Sequence, residues 1–107
     1  MIEKTIQTET VFEGRSVTLK VHTVEGPKGT TTREVIDHSP AVTIMAVENN
    51  TLHLIHQFRK ATEQVIIEAP AGCMEPNELP EVAAQRELQE ETGLIADSIT
   101  KLGEMYM

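Results

Sequence analysis

The sequence predicts an α/β chain: a small antiparallel sheet over residues 1–38, then a domain over 39–107 in which strands lead into one strong helix. Three observations carry this. Residues 15–25 alternate, with Val17, Leu19, Val21 and Thr23 on one face, the pattern of a half-buried antiparallel strand. Residues 41–58 hold two apolar runs around Glu48-Asn49-Asn50, a hairpin signal. Residues 81–92 are mostly alanine, glutamate and glutamine, bracketed by Pro80 and Gly93. These residues have high helix propensity, proline is tolerated in a first turn, and glycine is a good C-cap.

The elements follow in order. Residues 4–10 are threonine-rich and read as a first short strand, and Val11–Gly14 has turn character. The strand over 15–25 ends at the turn Gly26-Pro27-Lys28-Gly29, and residues 30–36 return as its neighbour. A sheet this thin needs a partner to be stable. Pro40 holds Ser39 extended and marks the boundary between the regions 1–38 and 39–107. Ala41–Val47 is apolar on both faces and reads as a central strand, with Thr51–Phe58 as its hairpin partner. Residues 59–64 are expected to form a loop, 65–68 a short strand ended by 69–72, and 73–79 a loop before the helix. Residues 95–100 begin another extended segment that continues towards Tyr106.

Composition narrows the function. The chain has 107 residues, enough for one small domain with a core or for a larger domain missing a piece. A formal net charge of -8 argues against gripping a nucleic-acid backbone along a basic face. It leaves room for small phosphorylated ligands, because a divalent cation reverses the local sign of an acidic pocket. No apolar run has the length of a membrane span, so no membrane partner is expected. One cysteine excludes an internal disulfide framework. No apolar h-region follows Met1-Ile2-Glu3, and a cytoplasmic location is expected.

The acids are unevenly placed. Nine of the seventeen fall between Glu63 and Asp97, with Arg86 the only lysine or arginine among them. A charge run is ordinarily a solvated helix face, so spacing has to make the case. Glu87, Glu90 and Glu91 are three and four apart and lie to one side of a helix. Like charges at that spacing repel by a few tenths of a kcal/mol per pair (~0.2–0.5) unless something binds them. A hard divalent ion would, because it prefers oxygen ligands. Glu78 approaches from the preceding loop, Gly72 permits close backbone approach or a positive φ, and Ala71 offers a carbonyl. Arg86 either holds a carboxylate bidentately or meets phosphate.

The joint pattern is Gly72, five residues, Glu78, seven residues, Arg86-Glu87-Leu88, one residue, Glu90-Glu91, one residue, Gly93-Leu94. It resembles, at all nine fixed positions, the signature of the Nudix hydrolases. Gln57-Phe58-Arg59, Glu68–Gly72, Phe12–Arg15 and Thr32–Val35 resemble the ADP-ribose pyrophosphatase branch of that family.

The resemblance implies an α/β/α sandwich with a mixed sheet, preceded by the small N-terminal sheet. It implies hydrolysis of a nucleoside diphosphate linked to another group, with Mg2+ or Mn2+ as cofactor. Glu87, Glu90 and Glu91 match the metal ligands, with Ala71 as a carbonyl donor and Glu78 as the supporting acid; Arg86 matches the arginine that orients a helix glutamate. Arg59 would touch the diphosphate or ribose end, with Arg33 adding charge and Phe12 stacking on adenine or packing its sheet. The substrate expected is ADP-ribose or another nucleoside-diphosphate sugar, giving AMP and a sugar phosphate. In the branch the N-terminal sheet helps form a homodimer and part of the adenosine pocket.

Two alternatives stand beside this reading: a Nudix hydrolase of another nucleoside diphosphate derivative, or an inactive Nudix fragment that binds nucleotide or only dimerises. Members of the branch run well beyond 107 residues, and the chain is expected to lack the C-terminal part of the sandwich. The usual base, a glutamate on a late loop, is then missing. Glu104 is a poor substitute, which leaves Glu90 or Glu91. The four histidines show no ligand spacing, Cys73 is expected to be inert beside a magnesium site, and Phe58 is expected in the core. Tyr106, Met45, Met105 and Met107 read as packing or uncovered core.

Overall fold

A computed structural model describes residues 2–106; Met107 lies outside them. Contacts divide the chain into two units, Met1–Ser39 and Pro40–Met107.

The first unit is a three-stranded antiparallel sheet in the order β1 (Lys4–Glu13), β2 (Val17–Gly26), β3 (Gly29–His38). β1 includes Val11, Phe12 and Glu13, which the sequence assigned to a turn. The strand reaches that length by register shifts between Thr5 and Gln7 and between Thr10 and Phe12, which leave Ile6 and Val11 without partners. Such bulges bend a strand and increase its twist. The expected turn joins β2 to β3, with Gly26 opposite Gly29 and Gly29 at φ 108°. The one-sided burial expected of β2 is not found. Val17, Leu19, Val21 and Thr23 are half-buried like their neighbours, and Val24, the one buried residue among those described in this unit, lies on the other face. A single sheet has no second layer of its own to bury either face fully.

In the second unit the run 41–47 is not one strand. β4 (Ala41–Thr43) pairs with β9 (Ala71–Cys73), whereas β5 (Ala46–Glu48) pairs with β6 (Thr51–His53). The chain changes partner at Ile44, whose N–H donates to the Pro70 carbonyl at 2.8 Å. The second run divides likewise at Leu54, after which β7 (Ile55–Arg59) pairs with β8 (Gln64–Glu68). Asn49 and Asn50, at φ 50° and 59°, make the tight turn expected between β5 and β6. Both central residues with positive φ suit a two-residue hairpin loop. β9 falls where the sequence suggested only a strand end and a loop. The ladders of the described residues are all antiparallel.

Helix α1 (Pro80–Thr92) has Pro80 in its first turn and Gly93 as a left-handed C-cap at φ 76°, its N–H donating to the Gln89 carbonyl. Ala83, Ala84, Glu87 and Leu88 are its buried stripe, and it packs on β9 and β4. Sheet and helix form the α/β arrangement expected, with one helical layer present. Residues 94–106 are irregular rather than extended in a ladder. The Gln85 side chain pins the start of that segment, exchanging two hydrogen bonds with the Ala96 backbone at 3.2 and 3.3 Å. Phe58, expected in the core, is 53% exposed, beside the exposed Val65 and Ile67 of β8.

Candidate active site

The loop before α1 and the first two turns of the helix converge on Arg86. Its Nε and Nη2 donate to the two oxygens of Glu78 at 2.9 and 2.8 Å, a bidentate pair. Nη1 donates to Glu87 Oε1 at 2.7 Å, and Nη2 also to the Cys73 carbonyl at 3.0 Å. Glu90 Oε2 lies 3.5 Å from Nη1. A guanidinium has five N–H donors in a fixed fork, so little of this one is left for a ligand. Of the two roles open to Arg86, the geometry is that of holding carboxylates.

Glu78 is held from a second side. Its Oε1 accepts from the Glu75 N–H at 2.9 Å, while its own N–H donates to the Glu75 carbonyl. The Arg86 guanidinium, and next that backbone N–H, hold the Glu78 carboxyl down at about 2. Arg86 is correspondingly raised above its usual value, through Glu78 first and Glu87 second.

Gly72 explains why Glu87 can be buried. A Cβ on Gly72 would lie 2.1 Å from the Glu87 carboxyl carbon and 2.3 Å from each oxygen. No side chain fits there, so the need at Gly72 is close approach and not a positive φ, which it lacks. Glu91 is tied to the same strand: its Oε2 accepts from the Ala71 N–H at 3.1 Å. This contact uses the Ala71 N–H and is separate from the carbonyl that the sequence suggested as a metal donor. Glu90 is largely exposed.

Arg59 ends β7 and Glu68 ends β8. Arg59 Nε and Nη2 donate to the two oxygens of Glu68 at 2.9 and 2.8 Å. The Glu68 bonds raise the Arg59 pKa, with a smaller contribution from the Glu91 charge. Phe12 and Arg33 belong to the first unit, on the two outer strands, opposite Leu19 and His22 of β2. Phe12 lies over Gly14, and Arg33 is engaged by Glu3 at 3.2 and 2.5 Å and by the Thr32 carbonyl. The structure therefore gathers Ala71, Glu78, Arg86, Glu87, Glu90 and Glu91 around one loop and helix, with Arg59 within the field of Glu91. Sequence reasoning missed the Glu68 side chain and the Cys73 carbonyl. Glu68 sits in a stretch that resembles the branch, which was its only signal. Glu104 lies in the irregular segment, paired with Lys101 at 2.5 Å, which lowers its pKa. Three of the four histidines have separate partners, His22 with Thr8, His38 with the Ser39 carbonyl and His53 with Glu48.

The donor set suits a hard divalent ion in kind: Glu87, Glu90, Glu91 and the Ala71 carbonyl are all oxygen ligands. Gly72 clears the space in which backbone and helix acid meet. Among the described residues, no group of three acids, histidines or cysteines is gathered closely enough to hold an ion. Glu87 and Glu91 instead accept from Arg86 and from the Ala71 N–H.

Residues 37–107 match the NUDIX domain. The chain belongs to the Nudix family. It is 43% identical over 106 residues to an ADP-ribose pyrophosphatase of Bacillus subtilis (strain 168), spanning 97% of this chain and 57% of that protein. It is 50% identical over 93 residues to a methanol dehydrogenase activator of Bacillus methanolicus, spanning 85% of this chain and 50% of that one. A crystal structure of an ADP compounds hydrolase superposes with a TM-score of 0.84 at 29% identity, over 100% of this chain and 60% of that chain. The chain thus spans between 50% and 60% of the length of these relatives. No helix among the described residues is long and apolar enough to cross a membrane.

Proposed function

We propose that the protein is a metal-dependent pyrophosphohydrolase that splits ADP-ribose or a related nucleoside-diphosphate sugar into AMP and a sugar phosphate. The observation that carries the reading is the Glu87 carboxylate seated on the bare backbone of Gly72 and locked by Arg86. A buried helix carboxylate held this way, within the family signature, suits binding of a cation beside a diphosphate. ADP-ribose is favoured over other nucleoside diphosphate derivatives by the likeness to an ADP-ribose pyrophosphatase across 97% of the chain.

Glu87, Glu90, Glu91 and the Ala71 carbonyl would hold Mg2+ or Mn2+, which neutralises phosphate oxygens and makes bound water a better nucleophile. Arg86 orients Glu87 and keeps Glu78 ionised. Arg59 binds the diphosphate; Arg33 adds positive charge and Phe12 a face for adenine, in a homodimer built on the N-terminal sheet. Glu90 or Glu91 takes the proton from the attacking water. Glu104 is the weaker base, because Lys101 holds its pKa down. The setting proposed is the cytoplasm.

A second reading, a Nudix fragment that binds nucleotide without hydrolysis, draws support from the ungathered carboxylates. The two separate on one assay. With magnesium present, the active protein releases AMP from ADP-ribose. Glu91→Gln lowers the rate by at least the ~100-fold that loss of a metal site's outer-shell partner can reach. A folded, metal-binding protein with no turnover across a panel of nucleotide sugars would leave the second reading.

A further inference from the structure

We infer that Glu68 is a positioning residue, holding Arg59 by one edge of its guanidinium so that the other edge is presented to the diphosphate of a nucleotide ligand. The inference rests on the role proposed for Arg59 above.

The geometry is specific. In the ladder, Arg59 is opposite Gln64 and Glu68 is opposite Ile55, so the two are not cross-strand partners. They lie on one face of the hairpin at opposite ends of the ladder, and the arginine reaches back to make two parallel bonds. Those bonds use Nε and one N–H of Nη2. Nη1 donates to nothing among the described residues, which leaves three N–H groups for oxygen acceptors. A planar fork fixed on one side loses less freedom when its other side binds phosphate.

Glu68 is itself anchored. Two residues on, Pro70 is fully buried and its carbonyl accepts from the Ile44 N–H. The next residue, Ala71, gives its N–H to Glu91. The short connector 68–71 therefore places a cation through Glu68 and a helix acid through Ala71 at once. Glu68 is about one-fifth exposed and Arg59 nearly half, as suits a holder and a presented group. A simple stabilising ion pair would need no such division. A latch that competes with ligand for Arg59 would give the opposite sign in the test below.

The test is calorimetric titration of the full chain with inorganic pyrophosphate and magnesium, in wild type, Glu68→Ala, Glu68→Gln, Arg59→Ala and the Arg59→Ala/Glu68→Ala double variant. Wild type binds, Glu68→Ala binds about tenfold more weakly, and the double variant binds no more weakly than Arg59→Ala alone. Glu68→Gln, which keeps one acceptor oxygen, falls between wild type and Glu68→Ala, and serves if the alanine variant does not fold. Binding by Glu68→Ala within twofold of wild type, tighter binding, additive losses in the double variant, or no binding by wild type would each overturn the inference. AMP release is scored separately. Glu68-dependent binding without AMP release from ADP-ribose retains the inference and rejects only the proposed hydrolysis; AMP release with Glu68-independent binding does the reverse.

Discussion

Arg86 and Arg59 each grip a glutamate through two parallel bonds, yet they leave different remainders. Arg86 adds Glu87 and the Cys73 carbonyl to Glu78, with Glu90 at 3.5 Å. Arg59 adds nothing to Glu68 among the described residues. The first is an internal strut whose charge is consumed in ordering acids. The second is a held cation with an open edge. The same residue type, in the same pairing, thus has its donors used up in one place and left over in the other, and the count of remaining N–H donors tells the two apart.

The largest break in this contrast is expected from Gly72→Ala. The new Cβ would occupy the Glu87 carboxylate, which must move and abandon Arg86. Overpacking of this kind costs about 1–3 kcal/mol. Hydrolysis should fall by at least ~100-fold, the upper range for loss of an orienting partner. Calorimetric melting and AMP release, measured together, check both. Unchanged activity would mean that Glu87 does not act from this position.

Arg86→Lys comes next. Lysine keeps the charge but not the fork, so it cannot bridge Glu78, Glu87 and the Cys73 carbonyl together. Activity should fall about 10–100-fold with the substrate KM changed far less. A rise in KM alone would place Arg86 among the ligand-facing groups and erase the distinction from Arg59.

The smallest expected effect is in acid. The Glu78 pKa lies near 2 when folded against 4.5 for the ordinary side chain. As pH falls, the unfolded chain takes up this proton first, so stability falls with it. The contribution is whole above about pH 4.5 and is lost as pH falls through 2. The stability gap between wild type and Glu78→Gln should therefore be flat above that window and shrink within it, as followed by urea unfolding. A gap that does not depend on pH would mean that the Glu78 charge contributes nothing.

Much of this was legible in the chain itself. The helix could be read because Pro80, an interior of glutamate, glutamine and alanine, and Gly93 agree locally. The hairpin turns at Gly26–Gly29 and Asn49-Asn50 carry their own chemistry. The division of residues 41–47 at Ile44 was not legible, because an apolar run says that a strand is buried and not which strands it joins. β9 was hidden for the same reason: three residues pair with a distant β4 without a pattern of their own. The carboxylate set was evident from spacing. The partner choices within it were not, since Arg86 is adjacent to Glu87 in sequence but makes its bidentate pair with Glu78, across the loop. Glu68 escaped notice because its role depends on an arginine that reaches diagonally along a hairpin.

The division between the two arginines can be read in one measurement: the side-chain Nε–Hε resonances of Arg59 and Arg86, followed by NMR while pyrophosphate is added with magnesium present. The Arg59 signal should move and saturate with ligand, while the Arg86 signal stays in place, shielded by its four bonds to protein oxygens. An Arg86 signal that titrates while Arg59 remains still would contradict the account.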